Sequence, residues 1–306
     1  MNGVRIVNDL VRAGRFGEPM LWSILADRLE LESVDFASTG TTSWPWLKDE
    51  CWKMPRPRLC IQNATWAEPC TGGNVPYIAL LQDDLIGMYN DPVPQWPTLN
   101  AAHVIVCNGP LIASHYVEHA AKIRIIPLGI DQTFWNCDPR QEGTRPGVVF
   151  VGEGAPHKGF ESVKAIAQQR TDLEWTWVVK SVAAGAPGRI LRNVSREVVR
   201  EALRAADVFI LGSPVETQCL AALEAMACGL PVVMPATGCF HDWRPPSFFE
   251  AHPQDCKLFS DALDRALASR HDLDPRRDLL AAGRFTVEDM VSSWRALLTE
   301  VLANLA

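Results

Sequence analysis

The stretch ETQCLAALEAMACGLPVV, residues 216–233, carries the strongest local signal in the sequence. Leu220, Leu223 and Ala227 recur at helical spacing and predict a short helix with one buried stripe. Gly229 follows where a helix end favours a left-handed residue, and the proline after it prevents the helix from continuing. The apolar run that closes the stretch predicts a fully buried parallel strand. The stretch therefore predicts a loop, a helix, a turn and a strand of an α/β layer.

Two carboxylates, Glu216 and Glu224, lie across the start of this predicted helix. The loop before the helix follows a predicted strand, and ligands of open α/β sheets bind at the carboxyl ends of the strands. Carboxylates accept hydrogen bonds from the hydroxyl groups of sugars and riboses. We therefore expect Glu216 to hold a sugar and Glu224 to hold a ribose. The alternative is that both are solvated or favour the helix dipole.

Backbone amides at a helix N-terminus are a common phosphate site. Here the phosphates that join sugar and ribose would lie against the amides of Thr217, Gln218, Cys219 and Leu220.

Short β-branched runs alternate with helical patterns along the chain, which is typical of parallel α/β layers. Strands are predicted at 4–7, 33–36, 58–61, 77–81, 103–107, 124–128, 148–152, 175–179, 207–211 and 231–235. Helices are predicted at 18–29, at 110–120, from 159, from 196, and at 219–228, 257–269 and 287–304. The predicted fold class is α/β, with two Rossmann-like domains that face each other and a compact N-terminal domain.

A polar segment with proline and glycine, residues 131–147, separates the two α/β runs and predicts a linker. The predicted domains are 1–130 and 148–285, and a last helix follows in 286–306.

Composition narrows the class of protein. The 306 residues carry a formal net charge of −7, which argues against bulk nucleic-acid binding. The N-terminus has no signal-peptide pattern and no apolar run is long enough for a membrane helix, so a cytoplasmic protein is expected. The nine cysteines are odd in number and contain no C-x-x-C pair. Reduced, mostly buried thiols are expected rather than disulfides or a zinc site.

Further motifs surround the two glutamates. The sequence contains KIRIIPLGIDQTFW at 122–135, VVFVGEGAPHKGFESVKAIAQ at 148–168, LRAADVFILGS at 203–213, AAHVIVCNGPLIASHYV at 101–117 and GRFTVEDMVSSW at 283–294. Together with ACGLPVV and the two glutamates, which have seven residues between them, these segments resemble retaining GT-B glycosyltransferases of the family-4 type. The resemblance is close over residues 100–305 and faint before them.

The resemblance implies a fold and an activity. A nucleotide sugar, UDP- or GDP-linked, would bind the C-terminal domain as donor substrate, without a cofactor or a metal. The acceptor would bind the N-terminal domain, toward which the last helix would return. By match, Lys158 would pair with the donor diphosphate, Glu216 would hold the sugar and Glu224 the ribose. Gly17 falls where the family's Gly-Gly loop approaches the phosphate, and glycine lets the backbone come close.

The chain departs from the family pattern in the donor segment. The family's arginine is absent, and Gly152 is followed by Glu153, whose charge repels a diphosphate. Lys180 is the candidate substitute, with Arg15 and Arg189 as weaker choices.

Two other departures concern the sugar loop and the active-site base. The usual EGFG becomes ETQC at 216–219, which removes both glycines. The family's His-Asp pair becomes QDD at 82–84, so Asp83 is the candidate base toward the acceptor hydroxyl.

Several alternatives remain open at this stage. The acidic pair after the strand 77–81 also resembles the metal site of the other large glycosyltransferase fold, but the second half of the chain does not fit that fold. The acceptor is predicted to be a glycan, a lipid-linked molecule or a small molecule. A hydroxymethylated base in DNA is the second candidate, because Arg15, Trp52, Arg56 and Arg58 combine basic and aromatic groups near the expected acceptor entrance. A non-catalytic nucleotide-binding protein of the same fold is the third.

Overall fold

The computed structural model describes residues 3–8, 18–35, 51, 53–64, 75–82, 95–136, 145–180 and 185–305. The chain divides into two compact units. Unit 1 comprises Met1–Gly129 together with Thr286–Ala306, and unit 2 comprises Ile130–Phe285. In the part of the chain that the structure describes, no helix is both long and apolar enough to span a membrane.

Unit 1 contains a six-stranded parallel sheet in the order β2-β1-β3-β4-β5-β6. Its strands are β1 (Val4–Asn8), β2 (Glu32–Asp35), β3 (Leu59–Asn63), β4 (Tyr77–Leu81), β5 (Val104–Cys107) and β6 (Ile123–Ile125). The side chains of β3 and β4 are buried throughout, as expected for central parallel strands that are covered on both faces.

The described helices of unit 1 are α1 (Glu18–Leu29), α2 (Trp96–Ala101), α3 (Pro110–His115) and α9 (Val287–Asn304). The last helix packs on the first, where Trp22 and Trp294 meet edge to face with ring centroids 5.8 Å apart. A capping box fixes its start, since Thr286 Oγ1 accepts from the amide of Asp289 at 3.0 Å and the Asp289 carboxylate accepts from the amide of Thr286. The C-terminal helix is therefore part of unit 1.

Unit 2 contains a second six-stranded parallel sheet in the order β12-β11-β10-β7-β8-β9. Its strands are β7 (Gly147–Gly152), β8 (Glu174–Val179), β9 (Arg189–Arg192), β10 (Val208–Ile210), β11 (Val232–Met234) and β12 (Phe248–Glu250). Its helices are α4 (Phe160–Gln169), α5 (Arg196–Arg204), α6 (Leu220–Ala227), α7 (Cys256–Ser269) and α8 (Pro275–Ala281).

The opening stretch folds as predicted. Gly229 has φ +87° and closes α6 in a Schellman arrangement, with the amide of Leu230 bonded to the carbonyl of Ala225 at 3.0 Å. The strand that follows, β11, is buried and parallel to β10.

The predicted linker needs correction at both ends. Trp135 is buried in the core of unit 2, and Gly147 opens β7. The polar residues, proline and glycine of 131–147 predicted a linker outside both domains. The buried side chain of Trp135 instead packs the beginning of this segment onto unit 2. The predicted helix 110–120 is also shorter, because α3 ends at His115 and a 3₁₀ helix, Val117–Lys122, follows it.

Candidate active site

Two loops at the carboxyl edge of the unit 2 sheet bring together the principal residues of the candidate site. β7 leads into the 3₁₀ turn Pro156–Lys158, and β10 leads into the loop that contains Glu216. Because β7 and β10 are neighbours in the sheet, the two loops emerge side by side. This is the edge at which open α/β sheets bind their ligands.

Lys158 and Glu216 form a direct ion pair. Lys158 Nζ donates to Glu216 Oε1 at 2.7 Å, and the two side chains are 27% and 10% exposed. Burial opposes the charged form of the ammonium, but the carboxylate outweighs that effect and raises the pKa of Lys158 above its ordinary value. The two groups that the sequence assigned to the donor sugar and the diphosphate are thus in direct contact.

A contact between two glycines holds the two loops together. Gly159 has φ +64°, and a Cβ at this position would lie 2.0 Å from the carbonyl oxygen of Gly212. A Cβ on Gly212 would in turn lie 2.7 Å from the carbonyl oxygen of Gly159. Only glycine at both positions permits this approach. The position of Lys158 relative to the loop after β10 therefore depends on backbone contact as well as on its ion pair.

A third loop, after β11, fixes the backbone of residues 216–218. The amide of Glu216 donates to Thr237 Oγ1 at 3.0 Å, and the amide of Cys239 donates to the carbonyl of Gln218 at 3.3 Å. Gly238 has φ +58°, and a Cβ there would lie 2.9 Å from the Gln218 carbonyl. This loop was not predicted from the sequence, because its contact depends on the pairing of β10 with β11.

The predicted phosphate-binding amides lie at the start of α6. Cys219 occupies the N-cap position with φ +69°, a left-handed conformation that few residues other than glycine adopt. Its position corresponds to the second glycine of the family's EGFG, so the backbone conformation of the loop does not require that glycine. The thiol is buried, and burial raises its pKa well above the ordinary value, which excludes a thiolate nucleophile at neutral pH.

Glu224 lies in the second turn of α6 and is half-buried. Burial raises the pKa of its carboxyl to about 8, against the opposing effect of Arg196. Near neutral pH the side chain is therefore mostly protonated and able to exchange hydrogen bonds with hydroxyl groups in either direction.

Arg196, the first residue of α5, was not predicted as a site residue. Its guanidinium lies 3.7 Å from the ring centroid of Phe134 and 5.1 Å from that of Trp135, and it pairs with Asp131 at 3.7 Å. The carbonyl of Trp135 accepts from Cys228 Sγ at 3.0 Å, one turn after Glu224 on α6. Arg196 acts on Glu224 through its charge, and no local sequence pattern indicates that the two residues lie near each other.

Glu153 stands near the position of the missing family arginine, and Lys180 is the proposed substitute for that arginine. Glu153 pairs with His157 at 3.4 Å, a contact between two half-exposed side chains. Lys180 is exposed directly after β8, at the carboxyl edge of the sheet.

The suggestion of Arg189 is wrong. Arg189 begins β9 and therefore lies at the amino edge of the sheet. There it lines a cavity of about 1050 Å³ with Arg145, Glu174 and Arg204, away from Lys158. The error arose because β9, an edge strand with an arginine at each end, was not recognised as a strand.

The remaining predicted residues belong to unit 1. Arg56 and Arg58 are exposed just before β3. Arg15, Gly17, Trp52 and Asp83 lie outside the residues that the structure describes.

The comparison with protein families agrees with this geometry. Residues 145–269 match the glycosyl transferases group 1 family, a region that contains Lys158, Glu216 and Glu224. This region is similar to a group 1 glycosyltransferase domain. A sulfoquinovosyl transferase of Arabidopsis thaliana is 25% identical to the chain over 205 residues, which is 60% of this chain and 39% of the relative. The chain thus spans about two fifths of the length of that curated relative.

Solved structures extend the likeness beyond the group 1 domain. Sucrose-phosphate synthase from Thermosynechococcus elongatus superposes with a TM-score of 0.82 at 15% identity, covering 99% of this chain and 100% of that one. HepE of Anabaena, solved in complex with UDP and glucose, gives a TM-score of 0.74 at 14% identity, covering 98% and 100%. The predicted fold class of two Rossmann-like α/β domains is confirmed, since the described residues form two parallel-sheet units that match these GT-B structures.

Proposed function

We propose that the chain is a retaining glycosyltransferase that moves a sugar from a nucleotide sugar to a hydroxyl acceptor without a metal ion. The observation that carries the proposal is the Lys158–Glu216 ion pair at the carboxyl edge of the group 1 domain. A lysine that is both charged and partly buried suits the stabilisation of a departing diphosphate. The UDP complex of the similar HepE makes a UDP-linked donor the first choice, with a GDP-linked donor second.

Lys158 has the chemistry to serve two partners at once. An ammonium carries three donors, and Glu216 occupies one of them at 2.7 Å. The other two remain for oxygen atoms of the diphosphate, so donor binding needs no rupture of the ion pair. Held in this way, Glu216 presents its second carboxylate oxygen to a sugar hydroxyl.

The two glutamates match the two ends of a sugar nucleotide. Glu216 precedes α6, Glu224 lies in its second turn, and the amides of Thr217 to Leu220 lie between them. The sugar, the diphosphate and the ribose follow in the same order along this segment. With Lys158 opposite the first turn, positive charge meets the phosphates from the lysine and from the helix dipole.

The chemical step is a substitution at the anomeric carbon of the donor. The bond from that carbon to the diphosphate oxygen breaks, a bond to the acceptor oxygen forms, and the nucleoside diphosphate leaves. The acceptor hydroxyl loses its proton, for which Asp83 remains the proposed base. We propose retention without a covalent enzyme intermediate.

Donor binding tests the proposal first. The thermal stability of the protein is measured with UDP-, GDP-, ADP- and CMP-linked sugars in EDTA. A donor at 100 times its dissociation constant adds about 2.7 kcal/mol to the free energy of unfolding. Stabilisation by one donor class that falls by about half in Glu224→Gln at pH 8.5 but is kept in Glu201→Gln, a control on the exposed face of α5, supports the proposal. The absence of any stabilisation contradicts it.

Product stereochemistry tests retention separately. Proton NMR of the anomeric region distinguishes an α-linked from a β-linked product of an α-linked donor. The same configuration in donor and product is expected, and an inverted product contradicts this part of the proposal.

A further inference from the structure

Buried carboxamides occupy the carboxyl edge of the unit 1 sheet. Asn63 ends β3, Gln82 follows β4 directly, and Asn108 follows β5 directly. The three strands are neighbours in the sheet, and the pairing of Leu81 with Cys107 places Gln82 and Asn108 at the same level. The three side chains are 2%, 5% and 5% exposed. Three buried amide groups therefore lie at the ends of three adjacent strands, at the edge where such sheets bind ligands.

Gln82 is the unusual member of this carboxamide cluster. Among the residues that the structure describes, neither its Oε1 nor its Nε2 has a hydrogen-bond partner, and both atoms are buried. A buried amide without partners destabilises a fold, because its lost hydration is not replaced. Gln95, another buried glutamine of unit 1, shows the usual solution: its Oε1 accepts from Tyr116 Oη at 2.6 Å. Gln82 thus has two N–H donors and an acceptor oxygen that no described residue satisfies.

We propose that this carboxamide cluster is an acceptor subsite for a neutral molecule rich in hydroxyl groups, a sugar or a polyol, which completes the hydrogen bonds of Gln82. This inference rests on the proposed function, because it assigns the acceptor of the same reaction. A hydroxyl group donates and accepts, which matches a carboxamide in both respects. The three amides carry no charge, whereas an acceptor bound through its phosphate groups requires cations such as arginine. In the sequence, Gln82 directly precedes Asp83, the proposed base.

Two matched variants test the subsite. Gln82→Met keeps the length of the side chain and removes its amide, and Gln95→Met makes the same change where the amide is already bonded. Binding of methyl α-glucoside, sucrose and glycerol is measured by saturation-transfer NMR, with and without UDP. Glucose 6-phosphate and a DNA duplex that contains hydroxymethylcytosine serve as charged competitors.

Gln82→Met is expected to lower the affinity for the neutral probe and to raise the thermal stability. Gln82→Met weakens the binding of the neutral probe about tenfold or more, the loss expected when one or two hydrogen bonds are removed. It also raises Tm by about 2–4 °C, because an unpartnered amide is replaced by an apolar group. Gln95→Met lowers Tm and leaves probe binding unchanged. A glutamine with a purely structural role would lower Tm at both positions.

Several outcomes overturn the inference. Two of them concern Gln82→Met: unchanged affinity for the neutral probe, or a Tm below that of the wild type. The other two concern the wild-type protein: no binding of any neutral probe, or binding of glucose 6-phosphate or the DNA duplex alone. UDP titrations of the same samples keep the two proposals apart. If the wild-type protein binds UDP but no neutral probe, only the proposed acceptor subsite is contradicted. If it binds a neutral probe but no UDP, the proposed donor site is contradicted.

Discussion

The two units have the same kind of sheet but different polar groups at its carboxyl edge. In unit 2 the edge carries charge, with Lys158 and Glu216 paired at 2.7 Å and the backbone clamped at Gly159 and Gly212. In unit 1 it carries buried amides, and Gln82 has no partner among the described residues. A fixed charge suits a ligand whose own charge changes during reaction, whereas neutral amides suit a ligand that must only be recognised. From this comparison we propose that unit 2 supplies the groups for bond breaking and that unit 1 recognises the acceptor.

Removal of the charge in unit 2 is expected to have the largest effect. Lys158→Ala lowers turnover by about 10²–10³-fold, the loss seen when a group that stabilises developing charge is removed. Steady-state kinetics with the donor selected by the binding panel measures this loss. Lys257→Ala, which removes a lysine from the exposed pair with Asp261, is the control and leaves turnover unchanged. Turnover of Lys158→Ala within twofold of the wild type contradicts the assignment of bond breaking to this pair.

Crowding at the glycine contact predicts a large loss of stability. Gly159→Ala places a Cβ against the Gly212 carbonyl and strains the backbone, so the free energy of unfolding falls by about 2–3 kcal/mol. Gly283→Ala is the matched control, because φ is +59° but nothing lies within 4 Å of the added Cβ. Its loss is limited to about 1 kcal/mol of backbone strain. Urea unfolding of both variants measures the difference, and equal losses contradict the proposed clamp.

The raised pKa of Glu224 predicts that donor affinity depends on pH. The carboxyl ionises near pH 8 in the free protein, and a ribose that donates hydrogen bonds favours the ionised form. UDP affinity therefore rises about tenfold between pH 7 and pH 9 and levels off above the pKa. Glu224→Gln removes this rise. Calorimetric titrations across this range test it, and a flat wild-type profile contradicts the ribose assignment.

The carboxyl of Glu224 also makes the free energy of unfolding depend on pH, and this dependence has the opposite sign to that of the donor affinity. Between the ordinary pKa of 4.5 and the folded value of about 8, the folded protein holds a proton that the unfolded chain releases. Stability therefore falls as the pH rises through this window. Arg196→Gln extends the window to higher pH, because Arg196 opposes the shift, while Arg200→Gln, which removes the other arginine on Phe134, leaves it in place. Urea unfolding as a function of pH measures both variants.

The smallest expected effect concerns the backbone at Cys219. Its φ of +69° costs about 1 kcal/mol for any residue with a Cβ. Cys219→Gly is therefore expected to be more stable than Cys219→Ala by about that amount, although both lose the buried thiol. Chemical denaturation of the two variants measures the difference. Equal stability means that the loop relaxes around the substitution.

Local patterns predicted much of the fold of unit 2 and indicated the two glutamates of the candidate site. The helix end at Gly229, the buried strand after it and the two glutamates follow from residues within one turn or one strand of each other. The Lys158–Glu216 contact did not follow from spacing, since it depends on two glycines 53 positions apart that touch across neighbouring strands. Arg196 was missed for the same reason, because its partners lie on segments that only the fold brings together. β9 and β12 were missed because each is short, lies at a sheet edge and lacks the apolar run of a central strand.

The most direct test of the account is a calorimetric titration of a UDP-linked sugar at pH 8.5 in EDTA. Wild-type protein, Glu216→Gln, Glu224→Gln and the Glu201→Gln control are compared. The account predicts binding to the wild type and the control, and about tenfold weaker binding to each of the other two variants, one for each end of the donor. Full affinity in both site variants, or binding that returns only when a divalent cation is restored, contradicts it.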